Sequence, residues 1–169
     1  EIVIFHHCNS IDPPYYCDMS GQLPLLDASQ VKLIERHLSN AARPAMLALH
    51  APAMEIPASQ TGLAEPLHGP DDAWRELVLD LLRRHDRLRL VLTAHNHAHT
   101  LHRVGEQVVM STASLVETPF EARLISVGDE FIDVLTLCFG ELYGLRGDYD
   151  DARAWVHGTA MQRQCRIPI

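Results

Sequence analysis

Four histidines fall within eight positions of the stretch LVLTAHNHAHTLHR, residues 90–103: His95, His97, His99 and His102. They stand directly behind a run of apolar β-formers, at the tip of what reads as a buried strand. A second such run, AMLALH at 45–50, ends on His50. In open α/β architectures ligands collect at the carboxyl ends of the strands, so two strands that each end in histidine point to a metal or phosphate site. Neutral imidazole suits zinc, iron, nickel and, less strongly, manganese. In an extended segment residues i and i+2 face the same way, so His95 and His97 are expected to present two imidazoles to one region, with Asn96 turned away. From 95 to 99 an extended chain advances roughly 13 Å, too far for three consecutive histidines to share one ion. The expected ligand set is therefore His50, His95 and His97, with Asn96 and His99 as groups that support the ligands or touch substrate. His102 reads either as support or as an exposed residue. His37, His68, His85 and His157 read as ordinary hydrogen-bonded histidines, and His6 and His7, just past the middle of the first strand, read so too, with lining of the same edge as the lesser alternative. Three imidazoles carry no negative charge. A two-metal cluster would need carboxylates, and no Asp or Glu stands at one of these strand ends to supply them.

The elements that must position these residues follow from pattern. Ile2–Phe5 is a short apolar β-prone run, broken by NSIDPP. A helix is expected from Asp27 or Ser29 to Leu38. Asp27 with Gln30 fits a capping box, and Val31, Ile34 and Leu38 share a face. Residues 51–70 hold four prolines and little periodicity, which reads as a functional loop. Because it follows His50 directly, it is expected to act as a lid, with Met54, Ile56 and Leu63 as apolar contacts. A second helix begins at Asp71 or Asp72, with the stripe Trp74, Leu77, Val78, Leu81, Leu82, and LRLVLTAH is the third buried strand. EQVVMSTAS, FEARLISVG and EFIDVLTLCF then read as strands joined by short turns, and DYDDARAWVHGTAMQRQ as a weak closing helix. The order β-α-β-α-β-β-β-β predicts an α/β fold, with helices on one side of a sheet and a second set of strands packed against it.

Of the 169 residues, 47% are apolar, enough for a sizeable core, and the net charge is −8. That balance argues against a nucleic-acid backbone or an anionic membrane as the main partner. It leaves room for a small phosphorylated substrate, since a bound metal inverts the local field. No apolar run reaches membrane length. Cys8, Cys17, Cys138 and Cys165 form no C-x-x-C pair and read as reduced thiols of a cytoplasmic protein. The sequence opens directly in a strand, without a leading polar segment, and reads as the interior of a longer chain.

MLALHAP followed by LVLTAHNHAH resembles the C-terminal half of a calcineurin-like metallophosphoesterase domain. In that family one strand ends in a metal-binding His before a short Pro-containing loop, and a later strand ends in Gly-His-x-His. His50 matches the first, and His95 and His97 match the second, with Ala94 in place of the glycine. The resemblance extends over IVIFHHCNS…GQLPLLDASQVKLIERHLSNAARPAMLALHAP and the hairpins after the cluster, roughly residues 1–137, with 138–169 expected from pattern to be a helical extension. It implies a partial αββα sandwich whose N-terminal half lies outside this sequence. That half would bring an Asp-x-His, a Gly-Asp-x-x-Asp and a Gly-Asn-His-Asp/Glu segment, none of which precedes His50 here.

The resemblance further implies two divalent metal ions (Mn, Fe or Zn), roughly 3.5–4 Å apart, that activate water for in-line attack on a phosphoester. His50 and His95 would hold one ion and His97 the other. The activity implied is that of a phosphodiesterase or phosphomonoesterase, with this chain alone inactive. The competing readings are a non-catalytic scaffold that keeps the fold, and a self-contained module holding one metal. The strand-rich C-terminal part is also compatible with a homodimer.

Overall fold

The computed structural model describes residues 2–4, 26–144 and 151–169. The described chain is a mixed α/β structure with two sheets and a few helices. In order it forms β1 (Ile2–Ile4), α1 (Ala28–Ser39), β2 (Ala45–Ala48), α2 (Ala58–Thr61), α3 (Asp72–Arg84), β3 (Leu88–Thr93), β4 (Thr100–Val104), β5 (Gln107–Ser111), β6 (Glu121–Val127), β7 (Phe131–Cys138) and α4 (Phe139–Tyr143). A 3₁₀ segment (Asp151–His157), α5 (Ala160–Arg163) and β8 (Gln164–Pro168) complete it.

Helix α1 starts where its capping box demands. The Asp27 carboxylate accepts from the Ser29 and Gln30 N–H groups while the Gln30 side chain accepts from the Asp27 N–H, which satisfies otherwise orphaned donors at the helix start. Asp71 caps α3 through the Trp74 N–H. The stripes Ile34/Leu38 on α1 and Trp74/Val78/Leu81/Leu82 on α3 are buried together against Leu47, Leu88, Val91 and Val109 of the first sheet. The carbonyls left over at the end of α3 are also met. The Gln107 side-chain amide donates to Leu82, His85 and Leu88 oxygens at 2.9, 3.1 and 2.8 Å, locking the helix end to β3 and β5.

The first sheet has the order β1-β2-β3-β5-β4. β1, β2, β3 and β5 are mutually parallel, and β4 runs antiparallel along β5. The β4–β5 hairpin turns on Gly105 at φ 62°, a left-handed position at the head of a two-residue turn that glycine adopts without a Cβ clash. The second sheet is antiparallel in the order β6-β7-β8. Its Ile132, Val134 and Ile167 pack on Met46, Leu90, Val108 and Met110 from the other face of the first sheet. Helices therefore cover one face of the first sheet and the second sheet covers the other.

Three expectations are corrected here. EQVVMSTAS is not the start of a meander: β5 is a parallel member of the first sheet. TLHRV, read only as part of a histidine cluster, is strand β4. The segment 138–169 is not simply a helical extension. Its last strand pairs with β7 from Phe131↔Pro168 to Leu135↔Gln164, so it completes the second sheet. Within residues 51–70, Ala51, Ala53 and Ile56 are fully buried, Ile56 pairs with Leu67 and α2 forms a short helix, so much of this loop is packed structure. Among the described residues no helix is long and apolar enough to cross a membrane. Cys138 and Cys165 are free thiols, while Cys8 and Cys17 lie outside the described residues.

Candidate functional site

Because β2, β3 and β5 are parallel, their carboxyl ends share one edge of the sheet. Hydrogen bonding continues a little past each strand. The Leu49 N–H donates to the Leu92 carbonyl at 2.9 Å, the Ala94 N–H to the His50 carbonyl at 3.0 Å and the Thr112 N–H to the Thr93 carbonyl at 3.1 Å. These bonds bring the backbone of His50 beside Ala94 and His95. Three loops consequently leave the same rim, beginning at His50, at Ala94 and at Thr112.

His50 Nε2 lies 3.2 Å from His95 Nδ1, with the two rings edge to face and their centroids 5.1 Å apart. Residues 45 positions apart in sequence thus bring ring nitrogens within hydrogen-bonding distance of each other. His97 does not follow them in the way an extended segment would require. β3 ends at Thr93, and His95 and His97 adopt left-handed backbone at φ 67° and 52°, so the i, i+2 reading fails. A non-glycine residue in that region costs about 1–2 kcal/mol, though histidine is among the types that enter it more readily. Ala94 has no positive φ, so its methyl group in place of a glycine hydrogen causes no backbone strain.

The turn directs the His97 ring to Glu117, with Nδ1 2.5 Å from Oε1. Both side chains are about half exposed, at 49% and 48%. Glu117 is the residue that sequence reasoning missed. It stands in the loop after β5, and only the parallel placement of β5 puts that loop on the histidine rim. His68, at φ 51° on the 51–70 loop, lies close to the same group. Loss of surrounding water, and then the charges of His97 and Arg153, push its pKa below the ordinary histidine value.

Asn96 is buried at 4% exposure. Its Oδ1 accepts from the Ala98 N–H at 3.4 Å, and its Nδ2 has no hydrogen-bond partner among the described residues. His99, expected to support the ligands or touch substrate, is fully buried. Its Nδ1 accepts from the Ala113 N–H at 3.3 Å, which fixes Nε2 as the protonated nitrogen, and that nitrogen donates to Glu121 Oε2 at 3.0 Å. Burial pushes the His99 pKa down against the pull of Glu121. Burial alone would push Glu121 up, but the hydrogen bonds from His99 and Arg163 bring it down to about 2. His102 sits on β4. Burial lowers its pKa against a hydrogen bond to the Glu55 backbone, and its Nε2 has no hydrogen-bond partner among the described residues. Of the three residues proposed to line a lid, Ile56 is unavailable because it is buried with Ala98 and Val156. Met54 packs partly on the main core, and Leu63 is exposed. The readings of His6 and His7 concern residues outside those described.

Among the described residues, no three His, Cys, Asp or Glu side chains converge in an arrangement that could hold a metal ion. The rim brings together one histidine pair, His50 with His95, and one histidine–carboxylate pair, His97 with Glu117. No protein-family model matches the chain, and no curated protein is significantly similar to it.

Proposed function

We propose that this chain is the C-terminal half of a calcineurin-like metallophosphoesterase domain and contributes His50, His95 and His97 to a dinuclear site for phosphoester hydrolysis. The observation that carries the reading is the 3.2 Å approach of His50 Nε2 to His95 Nδ1 at the ends of adjacent parallel strands. Two nitrogens bound to one cation at zinc-like bond lengths lie about 3.0–3.4 Å apart, a span that the His50–His95 separation would match. The chemistry of the donors favours a borderline divalent metal such as zinc, iron or manganese. His97 fits as a further ligand through Nε2, because a ligating histidine ordinarily gives its other ring nitrogen to a carboxylate, the place that Glu117 takes at Nδ1.

Divalent ions bound there would supply Lewis-acid polarisation of a phosphoryl group and a water acidic enough to act at neutral pH. The chain's own residues do the positioning. The parallel ladder fixes His50 against His95, Glu117 fixes the tautomer and direction of His97, and Arg153 adds positive charge near His68 that favours an anionic substrate. The remaining anionic ligands come from outside the described residues. In the full αββα arrangement the second sheet formed by β6, β7 and β8 would be the second of its two central sheets.

Isothermal titration of the full-length protein with Zn²⁺ and Mn²⁺, paired with hydrolysis of bis(p-nitrophenyl) phosphate and p-nitrophenyl phosphate, tests the reading. Stoichiometric binding that falls at least tenfold in both His50→Ala and His95→Ala, together with metal-dependent hydrolysis, supports it. Binding that ignores both substitutions refutes it.

A further inference from the structure

The loop that carries His95 and His97 is held from behind by a part of the chain far away in sequence. Every polar group of His99 is engaged. Its N–H donates to the Val156 carbonyl at 2.9 Å, and its carbonyl accepts from Gln60 Nε2 at 2.9 Å. Its Nδ1 accepts from the Ala113 N–H, and its Nε2 donates to the buried Glu121 carboxylate. Glu121 also accepts from Arg163 Nη1 at 2.7 Å and lies 3.5 Å from His157 Nδ1. Gln60, which belongs to the loop after His50, donates in addition to the Trp155 carbonyl at 2.9 Å and accepts from Gln162 at 2.7 Å. Residues 155–163 thus touch both loops that begin at the histidine pair.

The approach is close enough to specify a glycine. Gly158 lies against His99 at φ 67°, and a Cβ there would sit 2.9 Å from the His99 carbonyl oxygen and 2.9 Å from Gln162 Oε1. The left-handed backbone at His95 and His97 needs such enclosure, because strained conformations persist only where the surroundings over-determine them.

We propose that Glu121 is a positioning residue which, with residues 155–163, clamps His99 and thereby holds the His95–His97 loop in its ligand-presenting conformation, so that this C-terminal segment is a working part of the metal site. The inference rests on the metal reading given above. It goes further in assigning Glu121, Gln60 and the 155–163 segment to the site, although none of them would touch metal or substrate. Groups that hydrogen-bond directly to a metal ligand typically change affinity by about 10–100-fold when lost, and Glu121 acts one step further back, through His99.

The test uses the full-length protein and its Glu121→Gln and Gln60→Ala variants, the second as the milder change should the first unfold the chain. Three readouts are taken: hydrogen exchange without metal, Co²⁺ affinity, and the visible absorption spectrum of bound Co²⁺. The clamp predicts faster exchange at both 94–99 and 155–163 with β2 and β3 unchanged, a tenfold or greater loss of Co²⁺ affinity, and an altered Co²⁺ band. Unaltered affinity and spectrum in variants whose stability has fallen would show a merely structural role and overturn the clamp alone. A protein that binds no Co²⁺ before any substitution overturns the metal reading, and the clamp's assigned role with it.

Discussion

Two histidine–carboxylate pairs lie two residues apart along the same loop, and they belong to different physical regimes. His97 and Glu117 meet with both side chains about half exposed. His99 and Glu121 meet at 0% and 1% exposure, with Arg163 on the same carboxylate. Water screens the first pair, so it costs little to form or break and its geometry stays available to a ligand. The second pair is out of water. The Glu121 carboxylate had to be desolvated, and it depends on the donors that surround it. The outer pair is therefore suited to chemistry and the inner pair to holding the loop that presents it.

The largest expected effect comes from breaking the inner pair. Glu121→Ala leaves the His99 Nε2–H buried without its acceptor and removes a carboxylate partner from the partly exposed Arg163, and should cost about 1–3 kcal/mol, measured by urea denaturation. Acid should expose the same dependence. The Glu121 pKa is drawn from 4.5 down to about 2 in the folded protein. Its stabilisation is therefore fully present above pH 4.5 and is lost as pH falls toward 2. The lowered His99 pKa acts in the same direction at somewhat higher pH, because a neutral buried ring resists protonation below its unfolded value. Unfolding free energy followed from pH 6 to pH 2 should decline steeply in the parent protein and less steeply in Glu121→Gln. Equal slopes would remove Glu121 as the responsible group.

The outer pair predicts the reverse profile. Glu117→Ala should cost less than about 1 kcal/mol of stability, yet weaken divalent-metal binding by about tenfold through the lost orientation of His97. A stability loss comparable to that of Glu121→Ala would erase the distinction between the two pairs. The smallest effect is expected from a double-mutant cycle on His97 and Glu117 in metal-free protein, with a coupling of about 0.2–1 kcal/mol. A larger coupling would mean that the pair is more structural than its exposure allows.

The legible parts of this molecule were those written in local pattern. Asp27 and Gln30 announce the α1 cap, the Trp74–Leu82 stripe announces α3, and apolar runs that end in His50 and His95 lead to rings that the structure brings together. The illegible parts depend on where distant strands pair. β5 reads as a strand joined by short turns to those after it, but its parallel pairing with β3 is what carries Glu117 to the rim. Thr100–Val104 hides as a strand because His102 reads as part of a cluster. The direction of His97 was misjudged since period-two alternation applies only while the backbone is extended, and positive φ at two histidines carries no sequence mark of its own. The complete burial of His99, read as a group that supports the ligands or touches substrate, has no local mark either, because its partner Glu121 arrives from elsewhere in the chain.

The most direct test of the central claim is the Zn²⁺ affinity of full-length protein carrying His50→Ala, His95→Ala or both. Each single change is expected to weaken binding strongly and the double change to add little, because both rings serve one ion. Independent, additive losses, or tight binding that survives the double substitution, would contradict that claim.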